Sequence, residues 1–259
     1  MLDFELIKKS LGGLFAEDCI FLYELTDSTN TRALEYGRAG GKVPAVFIAE
    51  EQTGGRGRRG RSFVSRAEAG IFITFLLSPQ EVCGIEGATA FAAVAAKEAL
   101  LSSCKISAGI KWVNDLYAKT PSGKDKKLVG ILAESVIENS KVTKIAIGMG
   151  INVYKNAISE EISEIATSIE EVSGERFSRE SVILSLAQNM IKKRNPEQIL
   201  SEYRKSSLTL GKKVEVLPHG AAPYPAVAKE ILADYSLLVE KENGETERVF
   251  TGEVSTKIK

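Results

Sequence analysis

The sequence is poor in histidine and cysteine, on which many metal and nucleophilic sites depend. Its 259 residues include one histidine, His219, and three cysteines, Cys19, Cys83 and Cys104. A single histidine excludes multi-histidine catalysis and nearly every zinc site. The cysteines are odd in number and lack C-x-x-C spacing, so neither a disulfide framework nor a structural zinc is indicated. We expect them to be small buried side chains in a reducing compartment.

The sequence also lacks a net charge and any long hydrophobic run. Its 34 basic and 34 acidic side chains cancel, whereas domains that bind nucleic acid or anionic membranes in bulk usually carry a basic excess. The longest strongly apolar stretch, 70–77, is far shorter than the roughly 20 residues that span a bilayer. Asp3 and Glu5 stand where a signal peptide would need basic residues. We therefore expect a cytoplasmic protein whose chemistry, if it is an enzyme, comes from carboxylates, lysines, arginines and backbone amides.

What is present is the composition of an ordinary globular protein, 44% hydrophobic and 26% charged, with a length that suggests one large domain or one plus a small appendage. Apolar runs predict strands at 20–25, 45–49, 71–77, 109–112, 115–119, 127–138 and 141–153, the last two joined as a hairpin. Helical patterns follow a cap at Asp27 or Ser28, cover 86–101, and fill most of 159–210 with starts near Ser178 and Pro196. After Gly211, four short β-type runs separated by turn signals predict a small β unit over 211–259.

The most distinctive motif is the segment 54–61, GGRGRRGR, with four glycines and four arginines. Glycines let the backbone approach a ligand closely and present amides to an anion, and arginine forks match carboxylate and phosphate oxygens. A solvated basic loop that binds RNA is the alternative interpretation. Because the segment joins two predicted buried strands in a chain without net charge, a local site for one small anion is favoured.

Two further motifs place polar residues in apolar surroundings. Residues 111–116, KWVNDL, offer a cation, an amide and a carboxylate that could hold Mg²⁺, or they form a turn with Trp112 in the core. Residues 127–132, KLVGIL, put a lysine at the head of a strand and Gly130 inside it. That lysine is either a solvated strand end or part of a site, and an interior glycine indicates a close approach by a ligand or by backbone.

A third motif of this kind is GMGINV at 148–153, where Asn152 is either a satisfied core amide or a ligand contact. The motif is not the G-x-G-x-x-G dinucleotide fingerprint, and no G-x-x-x-x-G-K-[ST] segment occurs, so neither a Rossmann nor a P-loop nucleotide site is supported. His219 stands in a Pro-His-Gly segment, and we expect a surface turn residue there rather than a proton carrier.

The order of these motifs resembles that of biotin–protein ligases. In chain order they are DSTN at 27–30, EQT at 51–53 running into the Gly-Arg segment, KWVNDL, KLVGIL with Glu134, GMGINV, Ala166-Thr167-Ser168 and GEVS at 252–255. The resemblance covers residues 20–257. It implies an α+β fold, in which residues 1–210 form a mixed, largely antiparallel sheet flanked by helices, like a class II aminoacyl-tRNA synthetase catalytic domain. Residues 211–259 would form a small SH3-like β-barrel.

The resemblance also implies a reaction. Such ligases join the carboxylate of biotin to the α-phosphorus of ATP, with Mg²⁺, and then transfer biotin from biotinyl-adenylate to a lysine of a biotin carboxyl carrier protein or domain. Fixed cations must offset the repulsion between a carboxylate and a polyphosphate. Both nucleophiles belong to substrates, which agrees with a sequence that has no evident His/Cys/Ser catalytic set.

By position, the resemblance assigns roles to individual residues. Biotin would be bound by Ser28, Thr29, Asn30, Gln52, Arg56, Gly57, Arg58 and Lys127. ATP would be bound by Arg58, Arg61, Lys111, Asn114 and Asn152. Catalysis would rest on Arg58, Lys127, Lys111 and Asp115, with Asp115 either touching a metal or positioning the incoming lysine. The metal ligands are not identified by the motifs.

The sequence departs from the family pattern at two positions. Val113 stands where the family usually has proline, and Tyr154 where a second amide is common, so nothing is transferred to Tyr154. Some members carry an N-terminal DNA-binding domain, but only about 20 residues precede the first motif strand here, so neither DNA binding nor repressor activity is expected. A homodimer is left open. Lipoate ligase or octanoyltransferase activity is the alternative within the same architecture, and the Gly-Arg segment argues against it.

Overall fold

The computed structural model describes residues 1–60, 63–218, 222–250 and 253–256, with side chains given for all of them except Arg59 and the last four. Arg61, His219 and Gly252 lie outside the described residues, so the predictions made for them stay untested. The described part contains one seven-stranded sheet and one five-stranded sheet. The strands of both sheets coincide with apolar runs in the sequence, as their bounds show.

The seven-stranded sheet is mixed and largely antiparallel. Its strands are β1 (Ile20–Thr26), β2 (Ala45–Gln52), β3 (Gly70–Leu77), β4 (Gly109–Lys111), β5 (Asp115–Lys119), β6 (Asp125–Glu138) and β7 (Lys141–Asn152). Their spatial order is β1-β2-β3-β7-β6-β5-β4, and only β1 and β2 run parallel to each other. The central strand β3 is buried along its whole length, which explains its uninterrupted apolar sequence.

Within the described ranges, six α-helices accompany this sheet: α1 (Phe4–Leu11), α2 (Thr29–Arg38), α3 (Gly84–Cys104), α4 (Ile169–Ser173), α5 (Arg179–Ile191) and α6 (Pro196–Lys205). The alanine-rich face of α3 is buried in the main core, because small side chains allow a helix to approach a sheet closely. The Ser178 side chain caps α5, and α6 begins at Pro196 after the Asn195 side-chain cap, as the sequence predicts. Helix α1 is not among the helices predicted from the sequence.

The five-stranded sheet is entirely antiparallel. It consists of β8 (Lys213–Leu217), β9 (Tyr224–Ile231), β10 (Leu237–Lys241), β11 (Thr246–Val249) and β12 (Glu253–Thr256), in the order β11-β10-β9-β8-β12. The run 247–254, which appears as one β-type segment in the sequence, contributes to two strands at opposite edges of this sheet. Val214, Leu237 and Val239 share one buried cluster with residues of the large sheet, so one continuous hydrophobic core connects the two sheets.

The predicted fold class is confirmed, with a mixed sheet flanked by helices and a small separate β sheet that fits an SH3-like domain. Cys19 and Cys104 are buried and Cys83 is half-buried, and all three are free thiols, as their number and spacing predict. Among the described residues, no helix combines the length and the apolar character needed to cross a membrane.

A buried ion pair ties the N-terminus to the sheet. The carboxylate of Glu50 on β2 lies 2.9 Å from the guanidinium of Arg179 at the start of α5, and both side chains are 4% exposed. The same carboxylate accepts the backbone amides of Leu2 and Glu68, each at 2.6 Å. Burial acts to raise the pKa of Glu50, but these three partners more than offset that effect, and its pKa lies below the ordinary value.

Candidate active site

A cavity of about 140 Å³ lies above the long hairpin of β6 and β7, between the N-terminus of α2 and the Gly-Arg segment. It is lined by Ser28, Thr29, Asn30, Gln52, Arg56, Gly57, Arg58, Phe63, Asn114, Asp115, Lys127, Gly130, Ile131, Leu132, Gly148, Met149 and Gly150. Polar side chains from five separate stretches of the chain therefore converge on one concave surface. This combination is typical of a small-molecule site.

One end of the cavity is uncharged and hydrogen-bonded. Ser28, Thr29 and Asn30, at the start of α2, are all about 4% exposed. The backbone amide and the hydroxyl of Thr29 both approach Gln52 Oε1, at 2.8 and 3.1 Å, and Gln52 Nε2 donates to Ser65 Oγ at 2.9 Å. The amide and hydroxyl groups at this end are thus held in fixed orientations, as recognition of a neutral polar ring would require.

The floor of that end is set by a residue that the motifs do not include. Thr74 of β3 is completely buried, and its Oγ1 lies 2.6 Å from Asn30 Oδ1 and 2.8 Å from Thr29 Oγ1. Gly148 of β7 is the cross-strand partner of Thr74. A Cβ added to Gly148 would lie 1.9 Å from Asn30 Oδ1. Gly148 is therefore required by the position of Asn30, a reason invisible in the local sequence.

Two other glycines of the hairpin make room for an aromatic ring. Gly130 and Gly150 are cross-strand partners in β6 and β7. A Cβ on Gly150 would lie 2.4 Å from the Phe63 ring, and one on Gly130 would lie 3.3 Å from it. The ring of Phe63, at the end of the Gly-Arg segment, thus lies over bare backbone inside the cavity. The groups that approach Gly130 are the side chains of Lys127 and Phe63, whereas the sequence predicts an approach by a ligand or by backbone.

The other end of the cavity is charged. Lys127 Nζ lies 2.8 Å from Asp115 Oδ1, and the two side chains are 32% and 21% exposed. The pairing of β5 with β6 brings these residues together, because Asp115 is opposite Gly130 and the register shifts by one residue before Tyr117. This end therefore offers a cation and an anion that solvent and a ligand can both reach.

Two arginines of the Gly-Arg segment face the cavity. Arg58 Nη1 donates to Asn114 Oδ1 at 3.3 Å, and Arg56 Nη2 lies 3.3 Å from Glu134 Oε2. Asn114 is itself fixed, since its Nδ2 donates to the carbonyl of Ile131 at 2.8 Å. Glu134 has no assigned role in the sequence interpretation, yet its Oε2 also accepts Asn30 Nδ2 at 2.8 Å. It connects the charged segment to the neutral end of the cavity.

The comparisons with known proteins agree with this geometry. The model of the biotin/lipoate A/B protein ligase family matches residues 22–152, a range that contains every motif lining the cavity. A biotin–[acetyl-CoA-carboxylase] ligase of Mycobacterium tuberculosis is 30% identical over 240 residues, which cover 88% of this chain and 85% of that protein.

The chain belongs to the biotin/lipoate A/B protein ligase family.

Other relatives and solved structures extend the comparison. The bifunctional ligase/repressor BirA of Bacillus subtilis is 32% identical over 167 residues, 63% of this chain, and the chain spans about half of that relative's length, 50%. The biotin protein ligase of Aquifex aeolicus, solved in complex with biotin and ATP, has a TM-score of 0.76 and 27% identity. The match covers 92% of this chain and 98% of that one. The seven-stranded sheet and the small β sheet are thus the architecture of a biotin/lipoate A/B protein ligase.

Most of the residues that the motifs nominate meet in the cavity. Ser28, Thr29, Asn30, Gln52, Arg56, Gly57, Arg58, Asn114, Asp115 and Lys127 all line it. Lys111 does not: its Nζ packs 5.1 Å from the centroid of the Tyr117 ring. Burial, helped by the nearby Asp115 carboxylate, raises the pKa of Tyr117 to about 12, so this partner stays neutral.

Asn152 also lies away from the cavity lining. It is 7% exposed, and its Nδ2 donates to the carbonyl of Thr167 at 3.1 Å. Of the two interpretations of Asn152, a satisfied core amide is the one that this geometry favours. Tyr154, the second departure from the family pattern, donates its hydroxyl to the carbonyl of Phe177 at 2.9 Å.

The donor set does not form a resident metal site. Over the described residues, no group of three or more acidic, histidine or cysteine side chains could hold a metal ion. Among the described residues that line the cavity, Asp115 is the only carboxylate, and it is paired with Lys127. Mg²⁺ usually binds through one or two carboxylates together with substrate phosphates. The described lining therefore fits an Mg²⁺ ion that arrives with substrate phosphates better than a resident ion.

Proposed function

We propose that the chain is an ATP-dependent biotin–protein ligase. The observation that carries this proposal is the division of one cavity into a neutral end of fixed amide and hydroxyl groups and a cationic end formed by Arg56, Arg58 and Lys127. Biotin has the same division, with an uncharged ureido ring at one end and a carboxylate at the other. A substrate of this kind can occupy the whole cavity with each part facing complementary groups.

In the first half-reaction, a carboxylate oxygen of biotin attacks the α-phosphorus of ATP, the bond from that phosphorus to the bridging oxygen breaks, and pyrophosphate leaves. Thr29, Asn30 and Gln52 hold the ureido ring, while Lys127 and Arg58 offset the charge of the two anions as they approach. Groups oriented before the reaction stabilise developing charge without reorganising. The phosphates lie along the Gly-Arg segment, with Asn114 on the adenylate side.

In the second half-reaction, the amine of a lysine on a biotin carboxyl carrier domain attacks the acyl carbon of biotinyl-adenylate, and AMP leaves with the phosphate oxygen. A lysine of ordinary pKa near 10.4 is only about 0.1% neutral near pH 7.4, so a nearby base must accept the proton that the amine loses as it attacks. We assign this role to Asp115, the carboxylate that lines the cavity beside Lys127.

We propose a catalytic unit of residues 1–210 and a smaller unit of residues 211–259. The partner is a biotin carboxyl carrier protein or domain, and the setting is the cytoplasm, where ATP is available. The proposal includes no repressor activity, and it leaves the choice between monomer and homodimer to measurement of the molecular mass in solution.

The decisive experiment is incubation of the protein with biotin, Mg-ATP and a carrier domain, followed by mass spectrometry of the carrier. We expect one biotin on one lysine, and no modification when that lysine is replaced by arginine. A parallel reaction with lipoate, together with thermal-shift measurements on both acids, separates the two activities of the family. A carrier that is modified by lipoate and not by biotin would overturn the proposal.

A further inference from the structure

The segment 112–115 consists of the turn between β4 and β5 and the first residue of β5, and it carries Asn114 and Asp115 into the cavity. Hydrogen bonds from residues outside the cavity hold this segment in place. Trp112 is 3% exposed, and its backbone amide donates to Thr209 Oγ1 at 3.0 Å. Its indole Nε1 donates to the carbonyl of Tyr235 at 3.0 Å. The strand leading into the turn is fixed in the same way, since the amide of Ile110 donates to the carbonyl of Ser206 at 2.8 Å.

The contact nearest to the cavity comes from Tyr203 of α6. This side chain is completely buried, and its hydroxyl donates to the carbonyl of Val113 at 2.7 Å. That carbonyl belongs to the peptide unit that joins Val113 to Asn114. Tyr203 therefore fixes the backbone immediately before Asn114 and Asp115, and so restricts where these two side chains can lie.

The Tyr203 hydroxyl is suited to a permanent contact. Burial raises its pKa above the ordinary value for tyrosine, so the group is a proton donor at neutral pH. Its ring packs edge-on against Tyr235, with the centroids 6.3 Å apart. A side chain held on all sides cannot follow the turn if the turn moves, so it fixes the turn to the body of the molecule.

We propose that Tyr203 is a positioning residue of the active site. Through Val113, it holds Asn114 where its Oδ1 meets Arg58 and holds Asp115 where it meets Lys127. This inference rests on the proposed function for its kinetic consequences. The site then depends on two regions far along the chain, α6 and the Tyr235 turn of the small β unit, neither of which lines the cavity.

The contacts at the neutral end of the cavity indicate whether the KM for biotin or the KM for ATP should change when the segment 112–115 is loosened. Thr29, Asn30 and Gln52 are fixed by Thr74 and Ser65, a set of contacts that does not involve the 112–115 turn. Loosening the turn should therefore weaken the adenylate side and spare the ureido side. A general loss of stability would not separate the two substrates in this way.

The test replaces Tyr203 with Phe, which keeps the ring and removes the hydroxyl. We expect KM for ATP in pyrophosphate release to rise about tenfold, the effect of leaving one buried carbonyl without its donor. KM for biotin should stay within twofold of the wild-type value. The matched control is Tyr154→Phe, which removes another tyrosine hydroxyl from a backbone carbonyl at 2.9 Å. We expect it to leave both KM values unchanged.

A second measurement does not depend on activity. Trp112 is the only tryptophan of the chain, so its fluorescence reports on the turn itself. We expect acrylamide to quench this fluorescence more strongly in Tyr203→Phe than in the wild type or in Tyr154→Phe. If the wild type makes no biotinyl-adenylate, the proposed function fails, and the quenching experiment still tests the positioning role. Unchanged quenching in Tyr203→Phe, or equal changes in the KM values for ATP and biotin, would overturn the inference.

Discussion

At the scale of single residues, the cavity depends on contacts between side chains that are far apart in the sequence. Asn30 and Glu134, Arg58 and Asn114, and Lys127 and Asp115 each join two different motifs. Each contact positions a polar group without making it unavailable, because the charged side chains among them remain partly exposed. Substitutions at this scale can therefore separate effects on catalysis from effects on folding.

We expect Lys127→Ala to slow pyrophosphate release on the order of 10²–10³-fold, the usual effect of removing one preorganised group that stabilises transition-state charge. The thermal midpoint should hardly change, because ion pairs exposed to this extent contribute little to stability. Lys119→Ala is the control, since Lys119 pairs with Asp125 at 3.4 Å on the same strand pair and should keep wild-type activity. Wild-type pyrophosphate release by Lys127→Ala would contradict the role given to this lysine.

Gly148→Ala tests the packing beneath the neutral end. The added Cβ would lie 1.9 Å from Asn30 Oδ1, so Asn30 must move, and overpacking of this kind typically costs about 1–3 kcal/mol. Isothermal titration should show a loss of biotin affinity that exceeds any loss of ATP affinity. Gly13→Ala, where an added Cβ meets nothing within 4 Å, is the control for the glycine-to-alanine change itself.

Sequence reasoning found most of the polar lining and missed what lies beneath and above it. Charged motifs such as the Gly-Arg segment can be recognised because their composition is unusual for a buried environment. Thr74, Phe63 and Tyr203 look like ordinary strand, loop and helix residues, and only the register of β3, β6 and β7 and the packing of α6 give them a role. Lys111 and Asn152 stand in informative motifs but are not among the residues that line the cavity, and their predicted place on the ATP side stays a prediction.

At the scale of elements, the hydrophobic patterns predict where strands and helices occur better than they predict which strands pair with each other. Strands β1 to β7 and helices α2, α3, α5 and α6 are where period and capping signals indicate them. Helix α1 is not among the predicted helices, although Phe4, Ile7 and Leu11 stand at the i, i+3 and i+7 positions of one helical face. The division of 247–254 between β11 and β12 depends on which strand each half pairs with, and such non-local pairing is not encoded in a short run.

The Glu50–Arg179 pair joins β2 to α5, and its removal should be costly. In Glu50→Gln the Arg179 charge stays buried without its partner, which typically costs about 3–5 kcal/mol. Urea unfolding at pH 7 measures this loss. Glu230→Gln, which breaks the exposed pair with Arg204, should cost less than about 1 kcal/mol.

The same pair predicts a dependence of stability on pH. Because the folded-state pKa of Glu50 is depressed, its contribution is complete above the ordinary value of 4.5 and is lost as the pH falls through the folded-state pKa. The difference in unfolding free energy between wild type and Glu50→Gln should therefore narrow as the pH is lowered from 5 toward the folded-state pKa. A difference that is constant with pH would show that the ionised form of Glu50 is not the stabilising one.

At the scale of the whole molecule, the charge balance separates a small-anion site from a polyanion surface. The chain has a formal net charge of zero. In the Gly-Arg segment, the described side chains of Arg56 and Arg58 contact Glu134 and Asn114 across the cavity. We expect fluorescence anisotropy to detect no more than non-specific RNA binding, with dissociation constants of roughly 10⁻⁴ M or weaker at physiological salt. Tight RNA binding that weakens steeply between 50 and 200 mM salt would instead support the RNA-binding interpretation.

The strand order also determines when the cavity can exist during synthesis. The floor of the cavity is the pairing of β3 with β7, in which Gly70 is opposite Asn152, and its wall needs Asn30 beside Glu134. A ribosome must therefore release the chain beyond Asn152 before the whole cavity can assemble, and the contacts that hold the segment 112–115 also require α6 and Tyr235. Non-local pairing of this kind makes folding slow. The proposed substrates, biotin and ATP, therefore meet a complete site only after residue 235 has been synthesised, so neither can guide the early steps of folding.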